Sequence, residues 1–73
     1  MTTHRLARVY GEQRLDGMWE GWLDFVGIGT TAVLRTPIET TQRAIGDLAF
    51  WARGLQASYL RGAFRRAEQV SGT

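Results

Sequence analysis

The side chains that could carry out acid–base or metal chemistry are few and scattered along the chain. The 73 residues include no cysteine and one histidine. The lack of cysteine excludes thiolate catalysis and cysteine-based zinc or iron–sulfur sites. His4 has no cysteine available for a catalytic dyad. Glu20 and Asp24 share one face of a predicted strand and could in principle act as an acid–base pair, but solvated charges on an outer face are the favoured interpretation. The sequence therefore predicts a protein that is not an enzyme, with no catalytic, cofactor-binding or metal-binding residues.

The charge balance points to no specialised partner. All nine cationic residues are arginines, against seven acidic residues, for a net charge of +2. This imbalance is too small to predict a dedicated nucleic-acid surface. No apolar run approaches the ~20 residues of a transmembrane helix, and the first residues lack the apolar stretch of a secretory signal. We therefore expect a cytoplasmic protein without a transmembrane segment.

The first half of the chain alternates between apolar and polar residues, which is the period of half-buried strands. The predicted strands cover residues 5–12, 18–26 and 30–35. Asp16-Gly17 supplies the positive φ that a hairpin turn needs between the first two strands. The simplest arrangement of these segments is an antiparallel three-stranded meander.

The second half changes to helical periodicity. Thr36-Pro37-Ile38-Glu39 has the order of a capping box, with threonine at the N-cap, proline at the first helical position and glutamate at the third. A helix is predicted from here to Gly54, and a second one from Leu55 to about Val70. The predicted apolar face of the second helix consists of Tyr59, Leu60, Ala63, Phe64 and Ala67. Their apolar stripes are out of phase by roughly 80°, which favours two helices with a bend near Gly54. We predict one α+β domain, a three-stranded antiparallel meander followed by one or two helices on one face of the sheet.

A pair of aromatic residues on the sheet and a single phenylalanine on the first helix are predicted at surfaces. Tyr10 and Trp22 fall on the strand face opposite Leu23 and Phe25, with Arg8 close by. Such a face can be covered as core, pack against a second subunit or another protein, or stack single-stranded bases. Phe50 falls on the polar side of the first predicted helix, where it is either covered by the second helix or marks an interface.

The second helix has an arginine-rich polar face. Basic amphipathic helices can bind phosphates or anionic membranes, but a solvated face on a docked helix explains the same pattern. The four arginines that a nucleic-acid-binding role would use are Arg53, Arg61, Arg65 and Arg66.

Two segments carry a resemblance to a known family. They are Asp16-Gly17-Met18-Trp19-Glu20-Gly21-Trp22-Leu23-Asp24-Phe25 and Arg35-Thr36-Pro37-Ile38-Glu39. The order of hairpin, short strand and helix over residues 5–52 resembles the module of HicB-like antitoxins, which implies a partial double-stranded-RNA-binding-like fold.

The chain is also similar to a set of short uncharacterised bacterial proteins, and this likeness implies no biochemical role. It is carried by Trp19-x-Gly21-Trp22-Leu23-x-Phe25, Glu39-Thr40-Thr41-Gln42 and Trp51-Ala52-x-Gly54-Leu55.

The interpretation that the residues favour is a non-enzymatic binding or regulatory module. It would act by association with itself or with another protein, through Tyr10, Trp22 and Phe50. The alternative is a nucleic-acid-binding module that uses the four arginines with the sheet aromatics.

Overall fold

The computed structural model of the protein describes residues 5–27 and 32–71. These residues form six secondary-structure elements. They are β1 (Arg5–Gln13), β2 (Trp19–Gly27), β3 (Val33–Arg35), β4 (Thr40–Gln42), α1 (Ile45–Arg53) and α2 (Ala57–Ser71). The predicted α+β class is confirmed.

The strand β2 lies at the centre of an antiparallel sheet. It pairs with β1 along its whole length, and with both β3 and β4 on its other side. Gly17 has a φ of 88° in the hairpin between β1 and β2, as its Asp-Gly sequence predicts. The predicted meander is confirmed, and β4 is an additional strand. Within the third predicted strand, residues 30 and 31 lie outside the described residues.

The helix predicted to begin at Thr36 is wrong. Thr36 is buried, its N–H donates to Leu23 O at 2.9 Å, and its Oγ1 accepts a hydrogen bond from Leu23 N at 3.0 Å. Glu39 N donates to Gly21 O at 2.8 Å. The segment therefore continues along β2 as an edge that is interrupted at Pro37, which has no N–H to give to a ladder. The capping-box pattern does not start a helix here, because the backbone N–H and C=O groups of β2 need hydrogen-bond partners and this segment supplies them.

The helices pack on one face of the sheet, as predicted. In the core, Leu23 and Phe25 of β2 meet Ala63 and Ala67 of α2. Gly54 ends α1, which confirms two separate helices. The predicted apolar face of α2 is confirmed, because its members are all buried or half-buried: Tyr59, Leu60, Ala63, Phe64 and Ala67.

A pair of glycines lets α1 approach the sheet. Gly11 and Gly21 are paired across β1 and β2, and the side chain of Leu48 lies directly over both. A Cβ atom at Gly21 would lie 2.7 Å from Leu48 Cδ1, 3.0 Å from Thr40 Cγ2 and 3.2 Å from Trp51 Cζ3. Two of these atoms belong to α1 and one to β4, so a Cβ atom at Gly21 would crowd both elements. Because Gly11 and Gly21 have no side chains, α1 can lie close to the backbone of the sheet.

We expect Gly21→Ala to lower the free energy of unfolding by about 1–3 kcal/mol, because it overpacks a crowded site. The matched control is Gly46→Ala in α1, where a Cβ atom would meet nothing within 4 Å. That change should raise stability by about 0.5–1 kcal/mol through helix propensity. Urea unfolding measures both. Equal effects of the two substitutions would contradict the packing argument.

Candidate functional site

One face of the sheet has no helix packed on it within the described residues, and we name it the open face. Its apolar side chains are partly solvent-exposed: Leu6 by 51%, Tyr10 by 38% and Val33 by 49%. The strand registers place the following residues on it: Leu6, Arg8, Tyr10, Glu12, Glu20, Trp22, Asp24, Val26, Val33, Arg35 and Thr41.

An ordered stack of side chains occupies the centre of the open face. Tyr10 and Trp22 lie opposite each other in the β1–β2 register, with ring centroids 6.1 Å apart and planes 17° apart. The guanidinium carbon of Arg35 lies 5.3 Å from the centroid of the Trp22 ring. Stacked rings and a cation over the face of an indole are both attractive arrangements. The predicted neighbourhood of Tyr10 and Trp22 is therefore present, with Arg35 as a third member that the sequence did not indicate.

A carboxylate fixes the guanidinium in the stack. Arg35 Nε donates to Asp24 Oδ1 at 2.8 Å, and Arg35 Nη2 donates to Asp24 Oδ2 at 3.0 Å. Asp24 is buried, and its hydrogen bonds raise the pKa of Arg35. The two-point geometry leaves the guanidinium plane little freedom to rotate. The stack is thus an ordered surface of the isolated chain.

The open face is not basic. It carries two arginines, Arg8 and Arg35, and three carboxylates, Glu12, Glu20 and Asp24. Four residues along a strand separate Glu20 from Asp24, about 13 Å, which is too far for them to act on one substrate bond as a pair. With one more carboxylate than arginines, the open face lacks the excess of positive charge that binds phosphates.

The stack leaves one polar atom unsatisfied. Within the described part of the chain, Nε1 of Trp22 is buried and has no hydrogen-bond partner. A buried N–H without an acceptor costs about 1–3 kcal/mol. This cost falls at the centre of the open face.

Phe50 lies on a different surface from Tyr10 and Trp22. It is 75% exposed on α1, which packs on the other side of the sheet. It lines an open groove between the two helices with Trp51, Leu55 and Tyr59. The second helix does not cover it, so Phe50 stays a predicted contact residue, separate from the stack.

The four arginines do not form one surface with the sheet aromatics, because they lie in the helix layer. Arg53 is exposed at the end of α1, and Arg61 and Arg65 are exposed beside a groove that reaches Phe64. Arg66 is held in an ion pair. The structure does not bring these side chains together with Tyr10 and Trp22.

An ion pair with a buried carboxylate ties α2 to the edge of the sheet. The carboxylate of Glu39 is only 4% exposed and accepts hydrogen bonds from Arg66 Nε at 3.0 Å and from the hydroxyl of Tyr59 at 2.7 Å. Arg66 also lies over the Tyr59 ring. The hydrogen bonds from Arg66 are the main cause that lowers the pKa of Glu39, while burial chiefly raises the pKa of Tyr59. Sequence analysis had placed Glu39 in a capping box and Arg66 on a solvated face, so it missed this contact over 27 residues.

The described part of the chain has no cluster of three or more acidic residues or histidines suited to a metal ion, and His4 lies outside it. Among the described residues, no helix has the length and apolarity needed to cross a bilayer.

No protein-family model, curated protein or solved structure matches the chain. The resemblance to HicB-like antitoxins therefore stays a prediction.

We expect Glu39→Gln to destabilise the fold by about 1–3 kcal/mol, because it leaves Arg66 without its charge partner. The lowered pKa of Glu39 also makes stability depend on pH. This contribution is fully present above about pH 4.3, the pKa of an unfolded glutamate, and is lost as pH falls through the lower pKa of the folded state.

Thermal unfolding between pH 2 and pH 7 measures this difference. Glu68→Gln is the matched control, since Glu68 is an exposed carboxylate on α2, the helix that carries Arg66. An acid limb that is unchanged in Glu39→Gln would show that the ion pair does not couple folding to pH.

Proposed function

We propose that this protein is a non-enzymatic binding module that associates with a protein chain through the open face, with Tyr10 and Trp22 at the centre of the contact. The observation that carries the proposal is the Tyr10–Trp22–Arg35 stack, which is ordered by Asp24 and left uncovered. Aromatic residues and arginine are the residue types that dominate the energetics of protein interfaces.

The small core supports this proposal. Five apolar residues of the described chain are buried: Leu23, Phe25, Leu48, Ala63 and Ala67. A domain of this size buries only about 60% of the surface of its unfolded chain, so it gains from covering a second apolar face. Leu6, Val26 and Val33 extend the stack into such a face. The absence of cysteine suits a reducing compartment, and we place the module in the cytoplasm.

Nucleic acid is the less favoured partner. Bases could stack on Tyr10, but three carboxylates on the open face would repel the phosphates, and the exposed arginines of α2 lie on the opposite side of the sheet. Binding to single-stranded nucleic acid would weaken steeply with salt. Binding through apolar and aromatic contacts would not.

Site-specific photo-crosslinking in cells tests the proposal. A photoreactive phenylalanine analogue at position 33 lies at the exposed rim of the open face, and the same analogue at position 61 lies on the exposed side of α2. We expect covalent protein adducts from position 33 and not from position 61. Trp22→Ala should remove most of the adduct at position 33, because a central aromatic side chain contributes about 2 kcal/mol or more to a typical interface.

The masses of the adducts identify the partner. Adducts at multiples of 8.2 kDa indicate self-association, and a defined other mass indicates a different protein. The analogue at position 50 tests the predicted contact of Phe50 separately. Equal labelling from positions 33 and 61, or an adduct at position 33 that survives Trp22→Ala in a folded chain, would refute the proposal.

A further inference from the structure

The outer edge of β1 is the longest unpaired strand edge in the described part of the chain. β1 has nine residues and pairs with β2 on one side only. From Leu6 to Gln13 every residue except Ala7 is exposed. The opposite edge of the sheet is made of two three-residue strands interrupted at Pro37. Short or proline-broken edges resist pairing with another chain, whereas a long straight edge invites it.

The edge of β1 carries charges that complement each other under a two-fold axis. Arg8 and Glu12 lie two residues to either side of Tyr10, and all three side chains are on the open face. Neither Arg8 nor Glu12 has an ion-pair partner among the described residues. If two β1 strands pair antiparallel with Tyr10 at the axis, Arg8 of each copy faces Glu12 of the other. Opposite charges at facing positions stabilise antiparallel strands, and like charges destabilise them.

Other two-fold registers lose this match. An axis at Arg8 or at Glu12 places that residue against its own copy, which is a like-charge pair. An axis at Val9 or at Gly11 puts Tyr10 opposite one of the two charged residues, and neither arrangement joins Arg8 to Glu12. Facing residues of antiparallel strands must share a sheet face, so no intermediate register exists. The charges therefore select the axis at Tyr10.

We propose that a second copy of this chain binds at this edge, joined through β1–β1 pairing with the two Tyr10 residues facing each other across a two-fold axis. This goes beyond the proposed function, because the pairing uses the edge of β1 and leaves the open face of each copy uncovered. The pairing joins two sheets into one of eight strands. It also aligns the two stacks, so that Arg35, Trp22 and Tyr10 of one copy continue into the same residues of the other. Such an interface is isologous and closes as a dimer.

Single cysteines test the register, because the chain has no cysteine of its own. In the Tyr10→Cys variant, the two facing Cα atoms would lie about 4.5–5.5 Å apart, within the range that a disulfide spans. In Arg8→Cys, the two positions would be offset by four residues, or about 13 Å along the strands. Mild oxidation should therefore give covalent dimers of Tyr10→Cys more than about tenfold faster than of Arg8→Cys.

A mixture of Arg8→Cys and Glu12→Cys chains provides a second test that keeps Tyr10 intact. It should yield the mixed disulfide, while each variant alone should not. Circular dichroism verifies that every variant is folded. Equal rates at positions 8 and 10, or the absence of both the Tyr10→Cys dimer and the mixed disulfide, would overturn the proposed pairing.

A charge exchange tests the energetics of the interface by light scattering across a concentration series. The wild-type chain should dimerise, and Arg8→Glu or Glu12→Arg should each raise the Kd by about tenfold. The double variant restores opposite charges and should return the Kd to near the wild-type value. A monomeric wild-type chain, or a double variant no tighter than the singles, would refute the dimer. Photo-crosslinks to a different protein at position 33 would then still support the proposed function.

Discussion

The structure depends on the hydrogen-bonded pairing of β2 on both of its edges. β1 occupies one side, and β3 and β4 share the other, so each other strand of the sheet is held by β2. Because successive side chains of a strand point to opposite faces, β2 also determines which of its residues lie in the core and which lie on the open face. Leu23 and Phe25 face the helices, while Trp22 and Asp24 face away from them. A shift of the register by one residue would exchange the two sets, so the pairing fixes core and open face together.

The two faces are completed in different ways. On the helix side, Gly11 and Gly21 let Leu48 reach the backbone of the sheet, and the buried carboxylate of Glu39 anchors α2 through Arg66. That side combines apolar packing with a satisfied polar cluster. On the open face, the stacked side chains are held in place by the ion pair between Asp24 and Arg35, but no described helix lies over them. Order in an exposed aromatic surface lowers the entropy cost of binding, which is why we propose this face, rather than the helix layer, as the docking surface.

The edge of the sheet and its open face are linked through Tyr10. It lies on β1, whose outer backbone groups are unpaired within the described chain, and its ring belongs to the stack on Trp22. Strand pairing at this edge and contact across this face would therefore bury neighbouring surfaces. The same small core that leaves the chain with limited stability of its own makes such coverage favourable.

The sequence by itself determined the local features. Alternation of side chains located β1 and β2 and put Tyr10 and Trp22 on one face, and Asp16-Gly17 located the turn, whereas the register that sets the two rings opposite each other was decided by the structure. The sequence also predicted the apolar face of α2 and the break at Gly54. Tertiary structure decided the rest, including the position of Arg35 over the indole and the course of residues 36–39. A capping box contributes only about 1 kcal/mol to a helix. Leaving the backbone groups of a central strand without hydrogen-bond partners costs more free energy than the loss of a capping box. Because β2 is distant in the sequence from residues 36–39, no local pattern in those residues could predict that they pair with it.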